Sequence, residues 1–132
     1  MPQIVPFLMF EGCADEAMEF YTTTFKNAEV LSITRYGKNA VGTEGSVQLG
    51  SFLLNGQEFM CIDSNVKHAF SFTPSLSLYV KCTSEEEIEE LFTKLSAEGN
   101  VLMPLSHYFF SKKYGWVSDK FGVTWQLNLP SD

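Results

Sequence analysis

The chain has 132 residues, 45% of them hydrophobic and 19% charged, with a net charge of −7 and a pI near 4.7. That length buries enough surface to fold without metal or disulfide staples, and the acidic balance argues against phosphate backbones and anionic membranes as partners. Apolar runs reach about seven residues, roughly a third of a spanning helix, and the first residues lack the basic start and apolar core of a secretory leader. A cytoplasmic protein with no nucleic-acid or membrane partner is therefore expected.

Ile4 to Phe10 is a short apolar run closed by Glu11-Gly12 and predicts a buried strand, although Pro6 cannot donate to a ladder. From Ala14 the period becomes helical: Ala14, Ala17, Met18, Tyr21 and Phe25 share a face, with Asp15, Glu16 and Glu19 early enough to complement the helix dipole. Ala28–Tyr36, Ser46–Leu54 and Glu58–Asp63 read as three strands, the last two joined by Asn55-Gly56, a pair that tolerates positive φ at both positions of a two-residue hairpin turn. Residues 64–74 form a connection in which Phe70 and Phe72 are too apolar to stay undocked.

A second cycle follows. Ser75 to Cys82 alternates, with Leu76, Leu78 and Val80 on one side and Ser77 and Tyr79 on the other. Ser84 with Glu87 three residues on predicts a capping box, and Ile88, Leu91, Phe92 and Leu95 form the helical stripe, stopped at Gly99. The remainder, Gly99 to Leu129, holds three apparent strands and ends in the turn Asp119-Lys120-Phe121-Gly122 followed by a strand. A shift of about 71 residues lays Phe20-Tyr21 on Leu91-Phe92 and Val30-Leu31 on Val101-Leu102, a period too long for a solenoid. The expectation is one α+β domain over 1–132, built from two tandem βαβββ modules, about 1–63 and 75–132, whose curved mixed sheets enclose a cavity.

Three cysteines, Cys13, Cys61 and Cys82, are an odd number without CxxC spacing, against both a disulfide framework and a zinc site. They read as reduced apolar residues, with Cys13 the one thiol that a helix N-terminus would acidify. His68 and His107 lack the spacing of a triad, and Asp63 and Asp119 sit where a carboxylate caps a turn. The run Glu85 to Glu90 reads as a solvated helix face, and Glu11 could point either way. Alternation, with Trp125, Leu127 and Leu129 on the helix side, puts Ser77, Tyr79, Gln126 and Asn128 on the opposite face, where polar groups line a pocket or form a buried hydrogen-bond network.

The opening Phe10-Glu11-Gly12-Cys13-Ala14-Asp15-Glu16-Ala17-Met18-Glu19-Phe20-Tyr21 is similar to the start of vicinal oxygen chelate proteins, the superfamily of glyoxalase I, extradiol dioxygenases and the fosfomycin and bleomycin resistance proteins. Gly99 to Leu105, Phe109-Phe110, Tyr114-Gly115 and Asp119 to Trp125 resemble its PhnB-like branch, whose members often carry the description 3-demethylubiquinone 3-methyltransferase-like. The resemblance implies a glyoxalase/bleomycin resistance-like fold, a homodimer, and a small-molecule pocket on the concave face, with a divalent metal in the enzymes. The apolar contact of that dimer is expected to involve Phe70 and Phe72.

Carried over position by position, the metal ligands fall at Pro6, near Ser75, around Met60 to Ile62, and on Gln126. Only the last has a usable donor, so no metal site and no cofactor are expected. The glycines Gly37, Gly42, Gly45, Gly50 and Gly56 belong to hairpins, and no glycine-rich strand-to-helix turn supports methyl transfer. His107 gains weight because it precedes the Tyr108-Phe109-Phe110 segment, which lies near the pocket mouth in related proteins. The expected function is metal-independent binding of a small molecule by Ser77, Tyr79, His107, Phe109, Gln126 and Asn128. The alternatives are a divalent-metal lyase, isomerase or dioxygenase-like enzyme, and a dimer with a vestigial pocket.

Overall fold

The computed structural model describes residues 1–131. It divides into two compact units, Met1–Ala69 and Phe70–Asp132, each with the element order strand, helix, three strands. The first holds β1 (Phe7–Phe10), α1 (Ala14–Thr24), β2 (Ala28–Arg35), β3 (Val47–Leu54) and β4 (Gln57–Asp63), in the sheet order β1-β4-β3-β2. The second holds β5 (Ser77–Lys81), α2 (Glu85–Ser96), β6 (Asn100–Tyr108), β7 (Ser111–Ser118) and β8 (Thr124–Leu129), in the order β5-β8-β7-β6. In each sheet the first strand runs parallel to the last, β1 with β4 and β5 with β8, and the other pairs are antiparallel. This is the α+β architecture of tandem βαβββ modules that the residue pattern implies.

Each helix covers one face of its own sheet. Under α1 lie Leu8, Phe10, Phe52, Leu54, Phe59 and Cys61, all buried, with the Phe52 and Phe59 rings stacked at 5.4 Å. Gly50 belongs here for a steric reason, since a Cβ would meet the sulfurs of Cys61 and Met18 at 2.9 Å. Under α2 lie Val117, Trp125, Leu127 and Leu129. Burying each large side chain of this kind contributes about 1.5–3 kcal/mol, so the two helix-covered faces hold the modules together and the opposite faces are left for other work.

Two turns follow their sequence signals. Asn55 and Gly56 take φ of 49° and 85° between the paired residues Leu54 and Gln57, the doubly positive turn that the pair favours. Asp119, 2% exposed, accepts from the backbone N–H groups of Phe121 and Val123 at 2.9 and 3.1 Å and from Trp125 Nε1 at 2.9 Å. Asp63 does parallel work in the first module. Its Oδ1 accepts from Gly12 and Ala14, both at 2.9 Å, at the start of α1, and its Oδ2 from Val47 at 3.1 Å.

Several expectations are corrected. The first strand begins at Phe7 and is buried on one face only, through Leu8 and Phe10, because α1 covers just that side; Pro6 precedes it and contributes only its carbonyl, which accepts from Met60 N at 2.9 Å. The fifth strand is shorter than Ser75–Cys82, and Leu76 is exposed ahead of it. Ser84 caps α2 by accepting from Glu87 N, but the Glu87 carboxylate reaches back to Thr83 N at 2.8 Å instead of to Ser84, so the capping box is only half formed. The chain leaves α2 through Glu98, whose φ is 59°; Gly99 is required instead because a Cβ there would strike the Ser118 carbonyl. His107 lies within β6. The Cys13 thiol has its pKa raised, by burial first and then by Asp63 and Glu16, which outweighs the helix N-terminus.

Candidate functional site

The register of the second sheet decides which predicted residues meet. Tyr79 pairs with Gln126 and Gln126 with Trp116; Ser77 pairs with Thr124, and Asn128 with Tyr114. Residues paired across a ladder share a face, so Ser77, Tyr79, Gln126 and Asn128 stand together on the side away from α2, joined by Tyr114, Trp116 and Thr124. These three were missed in the sequence, although the alternation Tyr114, Trp116, Ser118 carries the signal.

Two hydrogen-bond systems organise this face. Trp116 Nε1 donates to Ser77 Oγ at 3.2 Å, Ser77 meets Thr124 Oγ1 at 2.8 Å, and Thr124 donates to the Leu76 carbonyl at 2.8 Å. That chain satisfies every hydroxyl in it, so Ser77 is a member of a structural network. The second system has the opposite consequence. Tyr114 is 6% exposed and its hydroxyl lies 2.7 Å from Gln126 Oε1. Burial, then Tyr79 and Tyr108, raises the Tyr114 pKa and keeps the phenol a donor. The contact fixes the Gln126 carboxamide and leaves its two N–H donors without a partner among the described residues. Asn128, half-buried beside it, likewise has no side-chain partner among them.

Aromatic rings border these amides. Tyr108 and Phe110 stack at 5.6 Å, and both approach Tyr114 edge-on, at 5.8 and 5.0 Å. Tyr79, 53% exposed, stands next to Gln126 on the adjoining strand. Phe109 does not join this group closely: it is 98% exposed at the tip of the turn joining β6 to β7, its ring edge-on to Phe110. His107 is exposed on β6. The face offers amide donors and acceptors beside flat apolar rings, with no thiol, carboxylate or imidazole among the residues paired on it.

Cys61, Cys82 and His68 serve structure. Cys61 and Cys82 are buried, their pKa values pushed up to about 12 and about 11, by burial first and then by Asp63 and Glu87 respectively. His68 Nε2 lies 2.9 Å from Ser64 Oγ, which also meets the backbone of Val66, so that hydroxyl is engaged in a turn. A cleft of about 320 Å³ beside Thr83, Ser84, Glu85, Lys112, Leu129 and Pro130 contains none of the predicted residues. Among the described residues no group of three His, Cys, Asp or Glu side chains converges as a metal site requires, and no helix is long and apolar enough to cross a membrane.

The positions that would hold a family-type metal do not fit one: Pro6 has no side-chain donor, Ser75 is an exposed hydroxyl before β5, and Gln126 is engaged with Tyr114. A methyl-donor nucleotide fits no better. The turn into α1 has one glycine and its N–H groups are taken by Asp63, while the turn into α2 has none and is capped by Ser84.

Residues 2–128 match the family model described as 3-demethylubiquinone-9 3-methyltransferase. The YjdN protein of Escherichia coli K12 is 25% identical over 138 residues, covering 94% of this chain and 92% of its own. The solved PhnB protein of Bacillus cereus is 58% identical, with a TM-score of 0.94 over 97% of this chain and 99% of that one. The fosfomycin resistance protein FosX of Listeria monocytogenes, 14% identical with a TM-score of 0.68 over 99% and 94%, shares the fold.

Proposed function

We propose, for a chain that belongs to the 3-demethylubiquinone-9 3-methyltransferase family and within it is PhnB-like, with the fold of the vicinal oxygen chelate proteins, that it binds a small molecule without a metal and transfers no methyl group. The observation that carries this reading is the half-buried Gln126 carboxamide, locked by Tyr114 with its donors unspent and bordered by Tyr79 and Trp116. Polar groups held on a sheet face without a protein partner are stabilised by a ligand or by water. A flat ring bearing a carbonyl, phenolate or acidic oxygen complements both the amide donors and the aromatic surround.

Tyr79, Gln126 and Asn128 are the contact residues of this reading and Ser77 braces Trp116; Phe109 reaches the group only through Phe110, and His107 is not part of it. The two modules are read as one functional unit that pairs with a second copy in the cytoplasm; Phe70, 64% exposed, supports an apolar contact of that kind. Sedimentation as a monomer at micromolar concentration would remove the dimer from the proposal.

The test is a thermal-shift screen of small aromatic and phosphonate compounds against the metal-free protein. A hit should raise the melting temperature of the parent and lose about tenfold in affinity in Gln126→Leu, the scale of one or two lost hydrogen bonds to a held amide. Dependence of the hit on added manganese, nickel or zinc would instead favour the metal-dependent lyase, isomerase or dioxygenase reading.

A further inference from the structure

The open face of the first sheet carries different chemistry. Its register sets Phe7, Met60 and Ser51 abreast, Met9 beside Ile62, and Leu53 beside Glu58. Alternation adds Leu49. Phe7, Met9 and Leu49 are exposed, so this is an apolar face open to solvent. Glu58 is the second residue of β4, directly after the Asn55-Gly56 turn, where water is at hand. Its side chain nevertheless runs inward along the sheet, and its Oε2 accepts from Ser51 Oγ at 2.7 Å, with Ser51 only 7% exposed. A carboxylate has about four acceptor positions; Ser51 fills one, and no Lys or Arg among the described residues pairs with Glu58. Glu29, opposite Leu53 in the same row, adds a second negative charge about two strand spacings, ~10 Å, away.

We propose that this face binds a small hydrophobic organic cation, an aryl- or alkylamine, with Glu58 as its counter-ion. This goes beyond the reading of the second sheet and rests on none of its residues. Charge complementarity selects the occupant. An anion is repelled by Glu58 and Glu29, and a neutral apolar molecule would desolvate the Glu58 carboxylate without replacing its lost water. A divalent metal finds one carboxylate where three or four donors are needed. An ammonium group satisfies the carboxylate by a charge-assisted hydrogen bond, while Phe7, Met9 and Met60 cover its apolar body and the Phe7 ring and thioether sulfurs tolerate a nearby cation.

The test is titration calorimetry of the full chain near neutral pH with phenethylamine and, as its uncharged counterpart, phenethyl alcohol. The amine is expected to bind about tenfold more tightly than the alcohol, and Glu58→Gln, which keeps an acceptor for Ser51, to erase that difference while leaving the alcohol unchanged. Equal affinities in the parent, or a Glu58→Gln variant that weakens both compounds or neither, would overturn the proposal. A readout independent of any variant is the amide chemical-shift footprint of the amine. Shifts at Phe7, Leu53 and Met60 support the assignment, and shifts confined to Tyr79, Trp116 and Gln126 refute it. Failure of the aromatic and phosphonate screen would leave these readouts untouched, so the two readings fail separately.

Discussion

Replacing Asp63 by Asn tests the most demanding claim about the first module, that one buried carboxylate ties the start of α1 to the start of β3. Asp63 is 3% exposed and accepts three backbone N–H bonds, from Gly12, Ala14 and Val47. Asparagine preserves size and one oxygen. If that oxygen keeps Gly12 and Ala14, each bond changes from charge-assisted to neutral, a loss of about 1 kcal/mol apiece. The amide nitrogen then faces the Val47 N–H, donor against donor, leaving a buried group unsatisfied at about 1–3 kcal/mol. The expected loss is therefore about 3–5 kcal/mol, against a total of about 5–15 for an ordinary domain, or roughly 10–20 °C in melting temperature. Urea unfolding should be followed by far-UV circular dichroism, because both tryptophans, Trp116 and Trp125, lie in the second module and their fluorescence need not report the first. A loss below about 1 kcal/mol with an unchanged slope would refute the reasoning.

Gly99→Ala should destabilise the second module by several kcal/mol or prevent its folding, because the new Cβ meets the backbone of Ser118 and Asp119 and not a side chain that could move; soluble protein with an unchanged melting temperature would count against this. With a thiol reagent at mildly alkaline pH, Cys13 should react slowly and Cys61 and Cys82 only after denaturation, and prompt labelling of two or three thiols would contradict their burial. Because burial raises the folded pKa values of Cys61 and Cys82 above the ordinary 9.0, to about 12 and about 11, their contribution to stability is complete below pH 9 and declines as pH rises through the folded values; the urea midpoint should fall over that window, and less steeply in Cys82→Ala. The hydrogen bond from Arg35 lowers the Asp15 pKa, so the pair stabilises above the ordinary value of 3.8 and is lost as pH falls through the lower folded value. Both side chains are about half exposed, so Asp15→Asn should cost under about 1 kcal/mol at neutral pH and nothing in strong acid.

The module order was legible because period-two and period-3.6 patterns survive at the buried positions, Ala14, Ala17, Met18 and Tyr21 in one helix and Ile88, Leu91 and Leu95 in the other. The face assignment of Gln126 and Asn128 followed from alternation with Trp125, Leu127 and Leu129, all three buried. What failed was local and steric. Gly99 looked like a helix stop because glycine favours positive φ, whereas Glu98 takes that conformation and Gly99 answers a backbone contact with Ser118, a residue far along the chain. The helix start after Cys13 is visible in sequence, whereas the desolvation and nearby carboxylates that raise its thiol pKa are tertiary. Tyr114 was invisible as the partner of Gln126 because nothing local indicates where a tyrosine hydroxyl ends.

The two modules share topology yet carry different chemistry on the freed sheet face, and the difference follows from what each places beside its last strand. In the first, β4 presents Glu58, Met60 and Ile62 against Leu49, Ser51 and Leu53 of β3, so one carboxylate sits in an apolar field. In the second, β8 presents Thr124, Gln126 and Asn128 against Tyr114, Trp116 and Ser118 of β7, so amides sit among aromatic hydroxyl and indole donors. The turns at Asp63 and Asp119 are structural in both modules, spending their carboxylates on backbone N–H groups. The turn carboxylates therefore fix how each sheet is held, and the alternate residues between them set the chemistry of the face that each helix leaves uncovered.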